Sequence, residues 1–194
     1  MSEELQERFE HLIERLRTTY TSIGHSSGRP YIYFVYEPAV ESQAWHLAHD
    51  HLRTDAHLKF CHINLLQLTI ASLDGQEEQR RTLLNDPKKA KSAAGIVRLW
   101  ARNTSEAIGA ALEDVQEGER PVIILRGLAA LHPLGTPTAL MEFLAEQEPR
   151  NPKTNAIVPI VLLIPGIRPP QTSHVYQFLG QERLRLDFYR GEDI

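Results

Sequence analysis

The residues with the most evident potential for chemistry are three histidines close together in the sequence, His46, His49 and His51. They superficially match a zinc-binding HxHxDH run, but Ala48 stands where that run has its second histidine. The segment has the pattern of a helix, on which His51 falls in the apolar stripe while His46 and His49 project from the opposite face. Three imidazoles so placed cannot converge on one metal ion. We therefore predict a solvated helix surface and no metal site, with weak metal binding by His46 and His49 as the alternative.

A second set of candidates lies at Cys61 and after the apolar run Val122–Leu125. Cys61 precedes His62, but neighbouring side chains on a strand point to opposite faces, so we predict a buried, inert cysteine. Arg126 and His132 lie in a strand-to-helix segment, where open α/β sheets bind ligands and partners. No Ser, Cys, Asp or Glu near them in sequence forms a nucleophile–base pair. The sequence therefore predicts no catalytic residue, and Arg126 and His132 become candidates for partner binding.

A nucleotide site is the next possibility, because Tyr31–Tyr36 reads as the strand that would precede a phosphate loop. Such a loop needs glycines, a Lys and a Ser or Thr, whereas this strand is followed by Glu37-Pro38 and then Glu41. Two carboxylates would repel a triphosphate, and Arg126 stands where an acidic residue would hold Mg²⁺. No GxGxxG motif is present. We predict no ATP hydrolysis and no cofactor.

A local basic patch is the feature that favours nucleic acid. Lys91, Arg98 and Arg102 share the outer face of a predicted long helix, and Lys88 and Lys89 lie at its start. Arg80 and Arg81 lie just upstream. The net charge is −4 and the isoelectric point is near 6.1, so the chain has no overall attraction for DNA. Because helices normally place charges on their solvent face, we predict weak or absent DNA binding by the chain alone.

The elements that would position these residues follow from hydrophobic periodicity. The predicted helices contain Leu5 to Tyr20, Glu37 to about Thr54, Leu65–Leu73, Asp86 to Gly118, Thr136 to Leu144, and Ser173–Leu179. The segment Asp86 to Gly118 is either one helix or two with a break at Arg102–Thr104, because Asn103 and Glu106 have the spacing of a capping box. The predicted strands are Tyr31–Tyr36, Phe60–Ile63, Val122–Leu125, Ile160–Ile164 closed by Pro165-Gly166, and an edge strand Leu184–Phe188. Their alternation predicts one α/β domain over residues 1–194, with three layers and a mostly parallel sheet that resembles a P-loop NTPase core without phosphate-binding motifs.

The 194 residues include one cysteine, no N-terminal apolar segment typical of a signal peptide, and no apolar run long enough for a membrane span. We therefore expect a cytoplasmic protein without a disulfide or a membrane anchor.

Several short motifs together resemble the BrxB family of BREX phage-defence systems. They are Tyr36-Glu37-Pro38 with Glu41, Asn64–Leu68, the strand and loop Ile123–Leu134, the strand ending at Pro165-Gly166, and the terminal Phe188-Tyr189-Arg190. The last motif differs from the YYRAF-like ending of that family. The resemblance extends over most of the chain.

The resemblance implies a non-catalytic component of an anti-phage defence system. Such systems combine an adenine DNA methyltransferase, a large ATPase and a PglZ-type protein of the alkaline-phosphatase fold, and BrxB-like proteins are expected to be partners of the last. On this hypothesis the contact would involve the edge strand Leu184–Phe188, the segment with Arg126 and His132, and the tail Tyr189-Arg190, which carry side-chain types enriched in interfaces. The alternative is a degenerate nucleotide-binding or DNA-contacting α/β regulator.

Overall fold

The computed structural model of the chain describes residues 2–23, 28–86, 93–170, 172 and 174–194. Its strands are β1 (Tyr31–Tyr36), β2 (Leu58–Asn64), β3 (Arg120–Arg126), β4 (Ile160–Ile167), β5 (Val175–Phe178), β6 (Arg185–Asp187) and β7 (Gly191–Asp193). Its α-helices are α1 (Ser2–Thr19), α2 (Glu41–His51), α3 (Leu65–Ala71), α4 (Glu77–Asn85), α5 (Ala93–Glu113) and α6 (Pro137–Leu144). Short 3-10 helices cover Pro38–Val40, Leu128–Leu131 and Glu182–Leu184.

The main sheet has the order β2-β3-β4-β1-β7, and every pair in it is parallel. A small antiparallel ribbon, β5 with β6, extends from the carboxyl end of β4. This arrangement confirms the predicted α/β class with a mostly parallel open sheet.

Two hydrophobic cores, one on each face of the sheet, give the fold three layers. Helices α1 and α2 cover one face, where Ile32 and Phe34 of β1 are buried. Helices α3, α5 and α6 cover the other, where Tyr33 and Val35 are buried, and the β5–β6 ribbon packs there as well. We call these the α1–α2 face and the α5–α6 face. All six residues of β1 are buried, as expected of an apolar strand covered on both faces.

Helix α5 runs unbroken from Ala93 to Glu113, so the single-helix alternative holds and the break considered at Arg102–Thr104 is absent. Trp100 and Ile108 lie on one buried stripe that continues through this point. Thr104 is buried between them, and its hydroxyl donates to the Trp100 carbonyl at 2.7 Å. The resemblance of Asn103 and Glu106 to a capping box is therefore coincidental. Helix α4, in turn, was not predicted at all.

The segment after Ile164 corrects two further predictions. Pro165-Gly166 does not close β4 but lies within it, and the predicted helix Ser173–Leu179 is instead strand β5 as far as it is described. Gly166 makes this pairing possible, since a Cβ there would lie 2.9 Å from the Gln177 carbonyl oxygen. Tyr176 and Phe178 then alternate into the core of the α5–α6 face.

The predicted edge strand Leu184–Phe188 divides between a 3-10 turn and β6. Strand β6 pairs only with β5, so its position at an edge is confirmed, but it belongs to the ribbon and not to the main sheet. The edge strand of the main sheet on this side is β7, which the sequence did not indicate. It has room beside β1 because Gly191 packs where a Cβ would lie 2.4 Å from the Tyr33 ring.

Candidate binding surface at the carboxyl edge

The carboxyl ends of β1 and β4 form the topological switch point of the sheet. The helix that follows β1 lies on the α1–α2 face, whereas the ribbon that follows β4 lies on the α5–α6 face. Open α/β sheets usually bind ligands in the crevice that such a divergence creates. A cavity of about 290 Å³ is present here, and its lining includes Val35, Tyr36, Glu37, Gly166 and Arg168.

The arginines of this cavity already have partners. Arg8 and Arg168 both donate to the backbone oxygen of Ile194, at 2.7 and 2.5 Å, and Arg168 forms a 2.6 Å ion pair with Asp193. Burial and the nearby Arg168 lower the pKa of Arg8 to about 10. Because Glu4 and Glu37 also line the cavity, its charges do not favour a further anion.

The turn after β1 offers little to a phosphate group. Residues Pro38–Val40 form a 3-10 helix, in which the Val40 N–H donates to the Glu37 carbonyl at 3.0 Å. The Glu41 N–H is likewise bonded to the Pro38 carbonyl. These backbone donors are engaged within the turn, and Pro38 has no N–H to contribute.

Arg126, the last residue of β3, is half-buried beside α2. Its guanidinium carbon lies 5.6 Å from the centroid of the Trp45 ring, a cation–π distance. Its Nε is buried without a hydrogen-bond partner, and no acidic side chain of the described residues lies within the 4.0 Å ion-pair distance. The Trp45 indole N–H lies close to the Tyr36 hydroxyl without the geometry of a hydrogen bond, while that hydroxyl donates to Glu41 at 3.2 Å. The guanidinium of Arg126 is thus fixed in place by Trp45 but has no hydrogen-bond or ion-pair partner among the described residues.

Gly127 follows Arg126 in the chain and packs against the start of the neighbouring helix α3. It has a φ of 71°, and a Cβ there would lie 2.7 Å from Oδ1 of Asn64 and 3.0 Å from the Leu66 amide nitrogen. Those two atoms form the N-terminal cap of α3, in which Asn64 accepts from the Leu66 N–H at 3.1 Å. Glycine is therefore required both by the left-handed backbone and by the close approach of α3.

Two large apolar side chains, Leu66 and Ile70, project from α3 into solvent. They are 41% and 57% exposed and lie one helical turn apart on the same side of the helix. Among the large apolar residues whose exposure is described, four are at least 36% exposed, and Leu66 and Ile70 are the two that lie on one helix. Adjacent exposed apolar side chains mark binding surfaces more often than isolated ones do. We call the region of Trp45, Arg126, Gly127, Leu66 and Ile70 the carboxyl-edge surface.

His132 follows the 3-10 helix Leu128–Leu131, which packs against α3. The predicted open loop Gly127–Gly135 is thus partly helical, because Leu128 and Leu131 are buried in the core. His132 is half-buried at the end of this turn, and its backbone N–H donates to the Ala129 carbonyl at 3.1 Å. It lies at the same end of the sheet as Arg126.

Tyr189 and Arg190, in contrast, lie at the opposite end. They directly precede Gly191, which pairs with Tyr31 at the start of β1. The length of a strand therefore separates them from the carboxyl edge, roughly 17 Å for five residues. Tyr189 accepts a 3.0 Å hydrogen bond from the Tyr33 hydroxyl through its carbonyl, and the Arg190 guanidinium carbon lies 5.5 Å from the Tyr189 ring. The four predicted partner-binding residues therefore do not share one surface.

The basic patch is only partly described, since Lys88 and Lys91 lie outside the described residues. Arg98 and Arg102 are exposed on α5, as predicted. Arg98 lies over the Phe143 ring, and Arg102 forms a 2.9 Å ion pair with Glu106. Arg80 does not belong to the patch, because it is 5% exposed and donates to the Ser72 carbonyl at 2.7 Å.

The histidines and the cysteine take the predicted positions. His46 and His49 are exposed on α2, whereas His51 stacks against Phe9 of α1. Cys61 is buried, and burial raises the pKa of its thiol. His62 points to the other face, where its Nε2 lies 2.8 Å from the Leu52 carbonyl oxygen. In the part of the chain that the structure covers, no three His, Cys, Asp or Glu side chains are grouped so as to hold a metal ion.

The comparisons with known proteins give no relative: no protein-family model, no curated protein and no solved structure matches the chain. Among the described helices, none has the length and hydropathy that a bilayer crossing requires.

Trp45, Leu66 and Ile70 were not predicted as site residues. Trp45 lies in the polar, histidine-rich segment that we interpreted as a solvated helix, and Leu66 and Ile70 belong to a helix whose exposed side could not be assigned from seven residues. The available signal was the continuous apolar composition of α3, LLQLTIA, which exceeds what one buried face requires.

Proposed function

We propose that this protein is a non-catalytic binding and assembly component that docks a larger protein on its carboxyl-edge surface. The observation that carries the proposal is the pair Leu66 and Ile70, exposed side by side next to the unpaired Arg126. The proposal rests on the chemistry of this surface and not on the absence of a catalytic site.

The composition of the surface is that of a contact region. Interface cores are enriched in aromatic residues and Arg, and their energetic centres are most often Trp, Tyr and Arg. Here Arg126 is held against Trp45, so little side-chain entropy remains to be lost on binding. Leu66 and Ile70 supply apolar area that a partner would remove from water.

The identity of the partner comes from the family resemblance. The proposed partner is a PglZ-type protein of the alkaline-phosphatase fold, within a BREX-like anti-phage defence system of the cytoplasm. A core like that of a P-loop NTPase, used as a scaffold without nucleotide, fits this proposal. Strand β1, which is buried within the sheet and followed by a turn and helix α2, supports that likeness, and the engaged turn Pro38–Val40 supports a scaffold role.

A nucleotide-binding or DNA-contacting regulator is the alternative function. Glu37 on the cavity rim and the satisfied arginines Arg8 and Arg168 weigh against an anionic nucleotide. The ion pair of Arg102 with Glu106 weighs against a phosphate contact on α5.

Co-expression with the products of neighbouring genes, followed by size-exclusion chromatography, tests the proposal. We expect the 22.1 kDa chain to co-elute with the PglZ-type protein at fixed stoichiometry. Elution of the chain alone from every pairing would refute the assembly function. Co-elution with a different protein would retain that function and refute the partner's identity.

A further inference from the structure

We infer that the segment docking on the carboxyl-edge surface belongs to a protein and is acidic and apolar, with a carboxylate that pairs with Arg126 and an apolar side chain that packs on Leu66 and Ile70. This inference rests on the proposed function, because it specifies the partner for the same surface. Arg126 carries a positive charge for which the surrounding described residues supply no acidic partner.

The Arg126 side chain keeps its proton at any physiological pH. Its Nε is enclosed by the protein and out of reach of a partner, but its terminal Nη atoms are not buried and donate to no described residue. A charge-assisted bond from these atoms to a carboxylate is among the strongest that proteins form. Stacking on Trp45 holds the guanidinium in place before the partner arrives.

The groups placed beside Arg126 are the Trp45 ring, which lies under its guanidinium, and His62, which is electrostatically coupled to it. No carboxylate of the described residues lies within ion-pair distance of Arg126, so the site offers a single arginine charge. A dianionic phosphate is normally held by several cations or by a cluster of backbone N–H groups. One side-chain carboxylate matches this charge better.

The exposed apolar pair on α3 lies next to Arg126. Leu66 is adjacent to Gly127, which follows Arg126 in the chain. A segment that places its carboxylate at Arg126 and continues along α3 would cover Leu66 and Ile70, and an apolar side chain there would remove their exposed surface from water. The recognition elements are thus one acidic residue and at least one apolar residue a short distance from it.

A random peptide library displayed on phage and selected on the full chain tests this inference without knowledge of the partner. We expect the enriched peptides to contain Asp or Glu near an apolar residue. As synthetic peptides they should lose affinity about tenfold or more with Arg126→Gln, with replacement of the acid by its amide, or with Leu66→Ser. The two changes at the charge pair should not be additive, because either one alone removes the pair. Arg102→Gln, on exposed α5, is the matched control and should leave binding unchanged.

The inference would be overturned by enriched peptides without an acid, by equal binding to Arg126→Gln, or by no enrichment over the Arg126→Gln protein. Displacement of a bound peptide by millimolar inorganic phosphate would do so as well, because it would mark the site as one for phosphate. The proposed function fails separately. If the PglZ-type protein does not co-elute but acidic peptides require Arg126, the surface chemistry stands and the assigned partner does not. If the PglZ-type protein binds the Arg126→Gln variant as tightly as it binds the unchanged chain, the assembly function stands and this inference does not.

Discussion

The guanidinium of Arg126 stacks on the ring of Trp45, with its Cζ atom 5.6 Å from the ring centroid. No carboxylate of a described residue lies within the 4.0 Å ion-pair distance of it. Arg80 is a useful contrast, since it is more deeply buried and also lacks an acidic partner, yet its guanidinium donates to the carbonyl and hydroxyl of Ser72. Arg80 is satisfied within the fold, whereas Arg126 has a buried Nε without an acceptor and terminal nitrogens that donate to no described residue.

We predict that Arg126→Met leaves the free energy of unfolding unchanged or raises it, within about 0.5 kcal/mol, because an unsatisfied buried donor is replaced by an apolar side chain of similar length. Arg80→Met is the matched control and should lower the same free energy by about 1–3 kcal/mol, since it leaves the Ser72 carbonyl without its donor. Urea denaturation of both variants measures the difference. A loss at Arg126 as large as that at Arg80 would mean that Arg126 supports the fold.

Gly127→Ala should destabilise the protein by about 1–3 kcal/mol, because alanine is strained at a φ of 71° and its Cβ would meet the Asn64 cap of α3. Gly109 offers the comparison, since it lies within α5 with nothing within 4 Å of an added Cβ. Gly109→Ala should stabilise the protein by up to about 1 kcal/mol through helix propensity. Changes of the same sign at both positions in thermal denaturation would contradict the assigned backbone.

Trp100→Ala should lower the free energy of unfolding by about 3–5 kcal/mol, because the side chain is 4% exposed and its loss leaves a cavity under α5. Trp100→Phe retains most of the packing but removes the 3.0 Å hydrogen bond from Nε1 to Oγ of Ser72. We expect it to cost about 1 kcal/mol beyond the lost volume. An unchanged melting temperature in Trp100→Ala would refute the helix phase assigned to α5.

Stability should also fall in acid through Asp55. Burial acts to raise the pKa of this carboxyl, but Arg17 and the N–H groups of His57 and Leu58 outweigh it and lower the pKa to about 2. Its ordinary value is 3.8, so the unfolded chain binds the proton first as pH falls. The contribution of Asp55 to the free energy of unfolding is therefore complete above its ordinary pKa and is lost as the pH drops towards 2. Asp55→Asn should flatten this part of the dependence of the unfolding midpoint on pH, and an unaltered curve would show that Asp55 is not its source.

The sequence was sufficient where a local pattern determines the structure. The apolar runs of β1, β3 and β4 predicted buried strands, and Thr136 before Pro137 predicted the start of α6, whose cap accepts from the Ala139 N–H at 3.2 Å. The sequence was insufficient where a contact between residues far apart in the chain determines the structure. Strand β5 was interpreted as a helix because nothing local indicates that Gly166 leaves room for it.

The candidate site shows the same division. Arg126 was found because its place after an apolar strand is visible in the sequence, but the stacking that holds its guanidinium depends on Trp45, 81 residues earlier in the chain. Tyr189 and Arg190 were assigned to the same surface by side-chain type alone, and the parallel pairing of β7 places them at the other end of the sheet. Exposure of Leu66 and Ile70 depends on how α3 packs on the 3-10 helix after β3, which no periodicity in seven residues could define.

Calorimetric titration of the purified chain with the PglZ-type protein, comparing Leu66→Ser/Ile70→Ser with the unchanged chain, tests whether the partner docks on the carboxyl-edge surface. Ile157→Ser is the control, because Ile157 is 36% exposed but lies before β4 at the amino end of the sheet. We predict that the double variant loses affinity at least about thirtyfold while keeping its melting temperature, and that Ile157→Ser binds as the unchanged chain does. Equal affinity of the double variant and the unchanged chain would contradict docking on the carboxyl-edge surface.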